Sequence, residues 1–503
     1  MSTHRPDATY DVVVIGSGIG GLTAAGLLAK AGRKVLVLEK ETHAGGHAAG
    51  LDWQGRPFDA ALHLIMGGGR SSNDGEGLVR RVLGQLGTAE RCQFVRNNPF
   101  YRALFPGFEL TVSGTGRKAF VESHARHFPK VSSALEGLLE RCARIHLGTL
   151  RFPIQPRLWQ RLLAPLRFPA LVRSVPLTVE DALKQHSIND KAGAALSVLW
   201  LYLGLPPSQA SFLLWATMTS GMVDEGAFYC RGGFRQMARA FRQGVERQGG
   251  EIRTGTPVRK ILLEGVSVSG VETEAGQRIR APAVISNVDA RATMRQLVGE
   301  EHFPAPYRAK VGGLQPSVRL VSLYTAVPRD LIPREAEHEN IVFGSWDHDA
   351  VYEEGLAGRI SAVTVTIPTL SDRSLTSQDE HLVVLKFMIP PQPALYPEDA
   401  PGQLVQQASA VIPGLPEYLG MTPDNPQGDA ERYALRTVGP IYGWAQSPQQ
   451  MGPNGLNNTT PVEGLYLCGH WSQPGAGIRT VVTSGQRVSR LILDDRTSQG
   501  IIA

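Results

Sequence analysis

The chain is predicted to be an α/β protein. A doubly wound, Rossmann-type parallel sheet is joined to an α+β unit carrying an antiparallel sheet and a helical lid. Three observations lead there. Residues 11–40 read DVVVIGSGIGGLTAAGLLAKAGRKVLVLEK, a strand, a glycine turn, a helix and a second strand. Two later stretches repeat this mixture of apolar runs, glycine loops and helix. They are 229–296, ending near AVISNVDA, and 464–493, GLYLCGHWSQPGAGIRTVVTSGQRVSRLIL. The sheet is therefore expected to be assembled from three segments of chain. Between them, 317–327, SAVTVTIPT (361–369) and HLVVLKFMI (381–389) read as strands of a second, antiparallel sheet.

The first unit carries the clearest chemistry. Val12–Ile15 is a β-branched run, as suits a strand buried on both faces. Gly16, Gly18 and Gly21 fit G-x-G-x-x-G. The first permits a tight turn, the second lets backbone approach a pyrophosphate, and the third lets the helix pack close to the strand. The pyrophosphate sits on the free N–H groups of the helix start, around Gly18, Ile19, Gly20 and Gly21. Ala24, Ala25, Leu28 and Ala29 make a slim helix, Gly32 stops it, and Val35–Leu38 is the next strand. Glu39 closes that strand, with Lys40 beside it, at the roughly 20-residue separation where an acid accepts hydrogen bonds from an adenosine ribose.

Bulk numbers exclude several classes. The 503 residues, 42% hydrophobic, suffice for two or three cores. A net charge of +5 gives no electrostatic case for nucleic acid. Cys92, Cys142, Cys230 and Cys468 are widely spaced and form no C-x-x-C, which reads as buried thiols in a reducing compartment. MSTHRPDATY lacks the apolar stretch of a secretory signal, so cytoplasmic residence is the expectation. With no H-E-x-x-H and no G-x-S-x-G, metal hydrolysis and acyl transfer are disfavoured.

Two middle stretches each leave two readings open. Residues 141–179 hold seven arginines and no acid, interleaved with Leu, Trp and Phe. That suits a segment lying peripherally in the interface of an anionic membrane, and equally a helical subdomain with solvated arginines. Its prolines at 153, 156, 165 and 169 forbid one long helix. Residues 192–223 carry no charged side chain but are broken by Pro206-Pro207. They read as a tunnel wall, a membrane-dipping lip or ordinary core.

After Glu39 the chain runs KETHAGGHAAG, then GRPFDAALHLIMGGG. A nicotinamide enzyme needs no second glycine pair there. This stretch, the TPVRKILL block at 256–263, YGWAQSPQQMG (442–452) and the GHW-x-QPG-x-G ending resemble the FAD enzymes that include phytoene desaturases, carotenoid isomerases and retinol saturases. Ala61 departs from that pattern, which has glycine, and His470 stands where many flavoproteins have aspartate. The resemblance implies FAD held by Gly45, Gly46 and His47 as well as the first cradle. It also implies that Val258 pairs with the adenine and that Asn287 lies at the ligand end of its strand. Gly469, His470, Gly477 and Ile478 then lie against the flavin edge, where a helix start stabilises negative charge on the reduced ring. It divides the chain into cofactor segments 8–90, 225–296 and 441–495, a substrate and lid segment at 91–224 whose lid helices lie near 130–225, and a substrate sheet at 297–440.

Function follows from the same resemblance. It implies an FAD-dependent oxidoreductase adding or removing two hydrogens on a lipophilic isoprenoid or polyene. The alternatives are a cis–trans isomerase using reduced flavin without net redox, an amine or porphyrinogen oxidase, and a flavin protein without turnover. No second G-x-G-x-x-G offers a nicotinamide domain, so the electron partner is oxygen, a quinone or a loosely bound NAD(P)H. An apolar substrate needs a greasy channel with few titratable groups. His63 is the candidate catalytic group, with a plain buried histidine as the other reading. Tyr442 and Trp444 are candidate channel walls or plain packing, and Glu225 and Arg231 flank a possible cavity mouth.

Overall fold

A computed structural model describes residues 8–494 apart from 72–74, 154–155, 392–398 and 423. Its centre is a five-stranded, all-parallel sheet in the order Glu251–Arg253, Val35–Leu38, Val12–Ile15, Ala283–Ser286, Leu465–Leu467. The strands come from three stretches of chain, and the middle three are buried along their whole length. Alternation divides the two faces. Val12, Val14, Val35, Val37 and Ile285 join the core under the helices Ile19–Lys30, Phe234–Arg247 and Ile478–Asp494. Val13, Ile15, Leu36, Leu38 and Val284 turn the other way, onto a small sheet. That sheet is Ala8–Thr9, Arg278–Arg280, Ser267–Thr273 and Val258–Glu264, so its hairpin turns near Gly276 as the sequence predicts. One face of the central sheet is thus covered by helices and the other by a β layer.

The second sheet has seven strands, in the order Phe108–Val112, Tyr101–Phe105, Glu339–Phe343, Ala362–Thr366, Glu380–Ile389, Arg319–Pro328, Tyr433–Val438. The three strands expected from the sequence lie side by side and antiparallel. Two differences appear. The hairpin at 101–112 adds to the sheet two strands beyond the three expected, and Glu339–Phe343 pairs with Tyr101–Phe105 in parallel. Both strands of the parallel pair are predominantly buried apolar residues, which a sequence pattern alone does not assign to either direction.

The lid is helical. Ser132–Arg151, Leu158–Arg167, Pro169–Ser174, Val179–Gln185, Asp190–Ser197 and Phe212–Ser220 follow one another, with breaks at Pro153, Pro156 and Pro169, whereas Pro165 is held inside Leu158–Arg167. Phe212–Ser220 packs on Ser132–Arg151 on one side. Cys92 and Cys230, 138 residues apart, sit with their sulfurs 3.2 Å apart, both free thiols. The neighbouring strands Phe94–Arg96 and Phe228–Cys230 pair and bring them together, which spacing along the chain concealed. Among the described residues, no helix is long and apolar enough to cross a membrane.

Candidate active site

A cavity of about 630 Å³ runs from the glycine turn after Val12–Ile15, past the end of Ala283–Ser286, to the start of Ile478–Asp494. This is the carboxyl end of the parallel strands, where doubly wound sheets bind ligands.

The turn is built for close approach. Gly16 sits at φ +91°, outside the range ordinary side chains adopt. A Cβ on Gly21 would lie 2.4 Å from the Gly16 carbonyl oxygen, so only glycine lets the helix meet the strand there. The helix Ile19–Lys30 begins at Gly18 with no side-chain cap and no acid in its first turn. Its positive end is therefore offered to whatever fills the cavity. Glu39 is buried, with Oε2 accepting from the Ser17 N–H at 2.8 Å and the Ser17 hydroxyl at 2.6 Å, and Oε1 from the Glu41 N–H at 3.0 Å. These bonds fix the carboxylate at the cavity wall with lone pairs to spare. This is the donor and acceptor set a dinucleotide needs: backbone N–H groups for a pyrophosphate and a fixed acid for a ribose.

Gly16, Gly18, Ile19, Gly20, Glu39, Lys40, Gly45, Gly46, His47, Val258, Asn287, Gly469, His470, Gly477 and Ile478 all line this one cavity. Lys40 does so from the rim, its side chain 75% exposed beside Glu41. Gly21 lies beneath the lining, in the helix–strand contact. The Asn287 side chain reaches among the cradle glycines, its Nδ2 3.4 Å from the Gly16 carbonyl oxygen. His47 and His470 stand 5.5 Å apart, ring to ring. Burial holds both below the usual imidazole range, and for His470, helped by nearby His47, down to about 3, so both are neutral near pH 7.

Beyond the cradle the wall turns apolar. Leu62, Leu64, Met66, Leu203, Met218 and Met222 contribute to it, so part of the uncharged stretch 192–223 lines the cavity, while Val198, Leu199, Trp200, Phe212 and Trp215 are core. Tyr442 lines it too, its hydroxyl donating to the Leu201 carbonyl at 3.0 Å. Trp444 does not. It is buried, donates from Nε1 to the Trp471 carbonyl at 2.8 Å, and packs edge-on against Trp471. Its role is to brace the turn that carries Gly469 and His470, which removes it from the channel wall. Glu225 forms an ion pair with cavity-lining Arg479 at 2.8 Å and contacts His146 at 3.2 Å. Arg231 points away, to Gln93.

His63 lines the cavity and is not an isolated core histidine. Its Nδ1 is 2.6 Å from Glu339 Oε1, and the Tyr202 hydroxyl, also from the cavity wall, donates to the same oxygen at 2.9 Å. Thr366 donates to the other carboxylate oxygen at 3.0 Å. Buried Lys386, two strands away on the same face of the sheet, interacts electrostatically with both Glu339 and Asp59. Burial alone would raise the Glu339 pKa, but His63 and Lys386 outweigh it and hold the carboxyl at about 2. Burial brings Lys386 down to about 8 against the pull of those acids. Sequence reading missed both residues. Only Lys386 carried a signal, a lone charge in the run VVLKFMI; Glu339 follows the charged stretch REAEH and does not stand out.

Comparisons with known proteins point to a flavin cofactor. The family model described as "Flavin containing amine oxidoreductase" matches residues 19–493. An all-trans-retinol 13,14-reductase of Rattus norvegicus is 29% identical over 341 residues, 64% of this chain and 55% of the relative. The chain thus spans about half the length of the retinol reductases it matches. A zeta-carotene-forming phytoene desaturase of Myxococcus xanthus is 25% identical over 97% of this chain and 95% of its own. A chloroplastic prolycopene isomerase of Daucus carota is 24% identical over 97% of this chain and 80% of its own. Among solved structures, an oxidoreductase from Methanosarcina mazei superposes with a TM-score of 0.63 at 19% identity, covering 95% of this chain and 99% of that one. A putrescine oxidase does so at 0.62 and 14%, covering 97% and 100%. These two speak for the fold alone.

Proposed function

The chain belongs to the flavin-containing amine oxidoreductase family, its cofactor is FAD, and from that premise we propose that it adds or removes two hydrogens at a carbon–carbon bond of a lipophilic isoprenoid or polyene. The observation that carries this reading is the continuity of the dinucleotide cradle with an apolar, almost uncharged wall. When bound, FAD supplies two-electron redox chemistry with transfer of hydrogen at carbon. The chain's own part is to hold it and to keep water out. Gly18, Ile19 and Gly20 present backbone to the pyrophosphate, Glu39 takes the ribose, and Val258 faces the adenine. His470, Gly477 and Ile478 meet the ring. The neutral His47–His470 pair adds no positive charge there. Leu62, Met66, Met218 and Met222 hold an apolar substrate, and Tyr442 shapes the channel beside them. His63 is the candidate catalytic group. Oxygen, a quinone or NAD(P)H exchanges electrons with the flavin.

The substrate also suggests a place of work. Seven of the eight large exposed apolar side chains among the described residues fall between 147 and 166. Leu158, Leu162 and Leu166, one face of the helix Leu158–Arg167, are 74%, 70% and 79% exposed, with Arg157, Arg161 and Arg167 beside them. A bare apolar ridge among cations suits the surface of an anionic membrane. The protein then works as a peripheral enzyme drawing substrate from lipid.

The test is an anaerobic incubation of the FAD-loaded protein with a polyprenoid panel in liposomes, flavin oxidised in one arm and reduced in the other. Loss or gain of two hydrogens by mass spectrometry is the expected result. Unchanged mass with altered retention, in the reduced arm only, indicates isomerisation. No product in either arm overturns the reading.

A further inference from the structure

Resting on the oxidoreductase reading, we propose that Glu339 is the positioning residue of a proton-accepting site whose reacting atom is His63 Nε2, with Tyr202 as its third member. His63 lies in the segment following the cofactor cradle, Glu339 in the second sheet and Tyr202 in the lid, so all three units of the fold meet here. The convergence is geometric. Two side chains of the cavity wall, His63 and Tyr202, place their polar atoms 2.6 and 2.9 Å from one oxygen of a fully buried carboxylate. An ionised carboxylate only accepts hydrogen bonds. Nδ1 of the neutral ring must therefore carry the proton and donate it to Glu339, which leaves the lone pair on Nε2, the nitrogen remaining for the cavity. The rings of His63 and Tyr202 lie 5.0 Å apart, so the tyrosine also limits how the imidazole can turn.

Removing two hydrogens from neighbouring carbons takes away a hydride and a proton. The hydride, with its two electrons, is accounted for by the oxidised flavin. The other C–H bond breaks with its electron pair staying behind to form the second bond of the alkene, and its proton forms a bond to His63 Nε2. The imidazolium so formed is stabilised by Glu339 and returns its proton to solvent. Addition of two hydrogens is the same sequence reversed. A neutral ring is the form that removal requires. Burial keeps His63 below the usual imidazole range, with Glu339 pulling it up and Lys386 pushing it down. The groups facing it are Glu339 from Glu339–Phe343, Lys386 from Glu380–Ile389, Tyr202 from the lid and His338, whose ring is 3.2 Å from the His63 carbonyl oxygen. Behind Lys386 stands Asp59, held by the Tyr229 hydroxyl and the Phe234 N–H. Lys386 offsets the Glu339 charge, so the carboxylate can stay ionised without forcing His63 to stay protonated.

Histidine-selective ¹⁵N NMR of the FAD-loaded protein tests this without any substrate, H63Q identifying the His63 signals. The expected wild-type ring is neutral at pH 7 with its proton on Nδ1. In E339Q that preference is lost, and the imidazole titrates at a lower pH because the anion that favoured its charged form is gone. A proton on Nε2 in the wild type overturns the proposal, as does an E339Q ring that titrates like wild type with flavin retained. The wild-type reading stands even where E339Q fails to fold. In the turnover assay, E339Q lowers kcat by about 10²-fold with little change in KM, moves the acid limb of the pH profile lower, and is partly rescued in E339D. Absence of polyprenoid turnover would sink the assigned substrate class and leave the NMR result to judge this site.

Discussion

Gly16 and Gly18 are two residues apart and answer different questions. Gly16 holds φ +91°, and a Cβ there would meet Val288 Cγ1 at 3.0 Å and the Asn287 carbonyl oxygen at 3.2 Å. Gly16→Val is expected to destabilise the fold itself, by about 1–3 kcal/mol of backbone strain. Gly18 has an ordinary extended conformation, and its Cβ would meet mainly the Asn287 side-chain amide. Gly18→Val should keep the thermal transition and lose FAD at least about tenfold, some 1.4 kcal/mol, read as flavin content after gel filtration. Glu39→Ala leaves the buried Ser17 N–H and hydroxyl without their acceptor, at a cost of about 1–3 kcal/mol in a urea titration. The cradle residues were legible because glycine and a strand-ending acid sit at fixed offsets along one short stretch. Glu339 was not, because 276 residues separate it from His63 and only the packing of the segment after the cofactor cradle against the second sheet brings them together. Trp444 was left between channel wall and packing for a related reason: an aromatic before a glycine turn looks the same whether it faces a channel or braces the turn.

At the scale of elements, the helix Leu158–Arg167 makes the sharpest prediction. Its apolar ridge contributes little to the core, since only Ala164 in it is buried. Replacing Leu158, Leu162 and Leu166 by Ser should leave stability and flavin content unchanged and abolish sedimentation with anionic liposomes. Replacing Arg157, Arg161 and Arg167 by Gln should weaken it in a salt-dependent way. Binding of both variants at the wild-type level would mean that this ridge does not meet lipid. The sequence pattern marked this stretch but left its solvated alternative standing, since exposure of leucines is a tertiary fact. Strand direction shows the same limit. The parallel sheet was legible because its first strand leads through a glycine turn and a helix into a second apolar run. The parallel pairing of Glu339–Phe343 with Tyr101–Phe105 joins runs far apart in the chain, and no turn between them records it.

The whole molecule is expected to be acid-sensitive. Burial pushes His124, His338 and His348 down to about 4. Unfolded, each takes up a proton near pH 6.5, while the folded chain refuses it until about 4. The unfolded state therefore binds more protons in that window, and stability falls as pH drops through it, on the order of 4 kcal/mol per pH unit at most for three groups. Glu339, held at about 2, adds a further loss below the usual carboxylate range. Urea midpoints at pH 7, 6 and 5 should fall in order, and a flat series would contradict the burial of these rings. The central arrangement is a flavin cradle opening into an apolar channel. The most direct test is anaerobic single turnover. FAD-loaded protein is mixed with a lipophilic polyene in one arm and with a panel of amines in the other, while flavin absorbance and product are followed together. Flavin reduction should be matched one to one by a polyene lacking two hydrogens, or, starting from reduced flavin, reoxidation by one gaining them. Flavin reduced by an amine, with every polyene inert, would contradict the assignment of an apolar substrate to this channel.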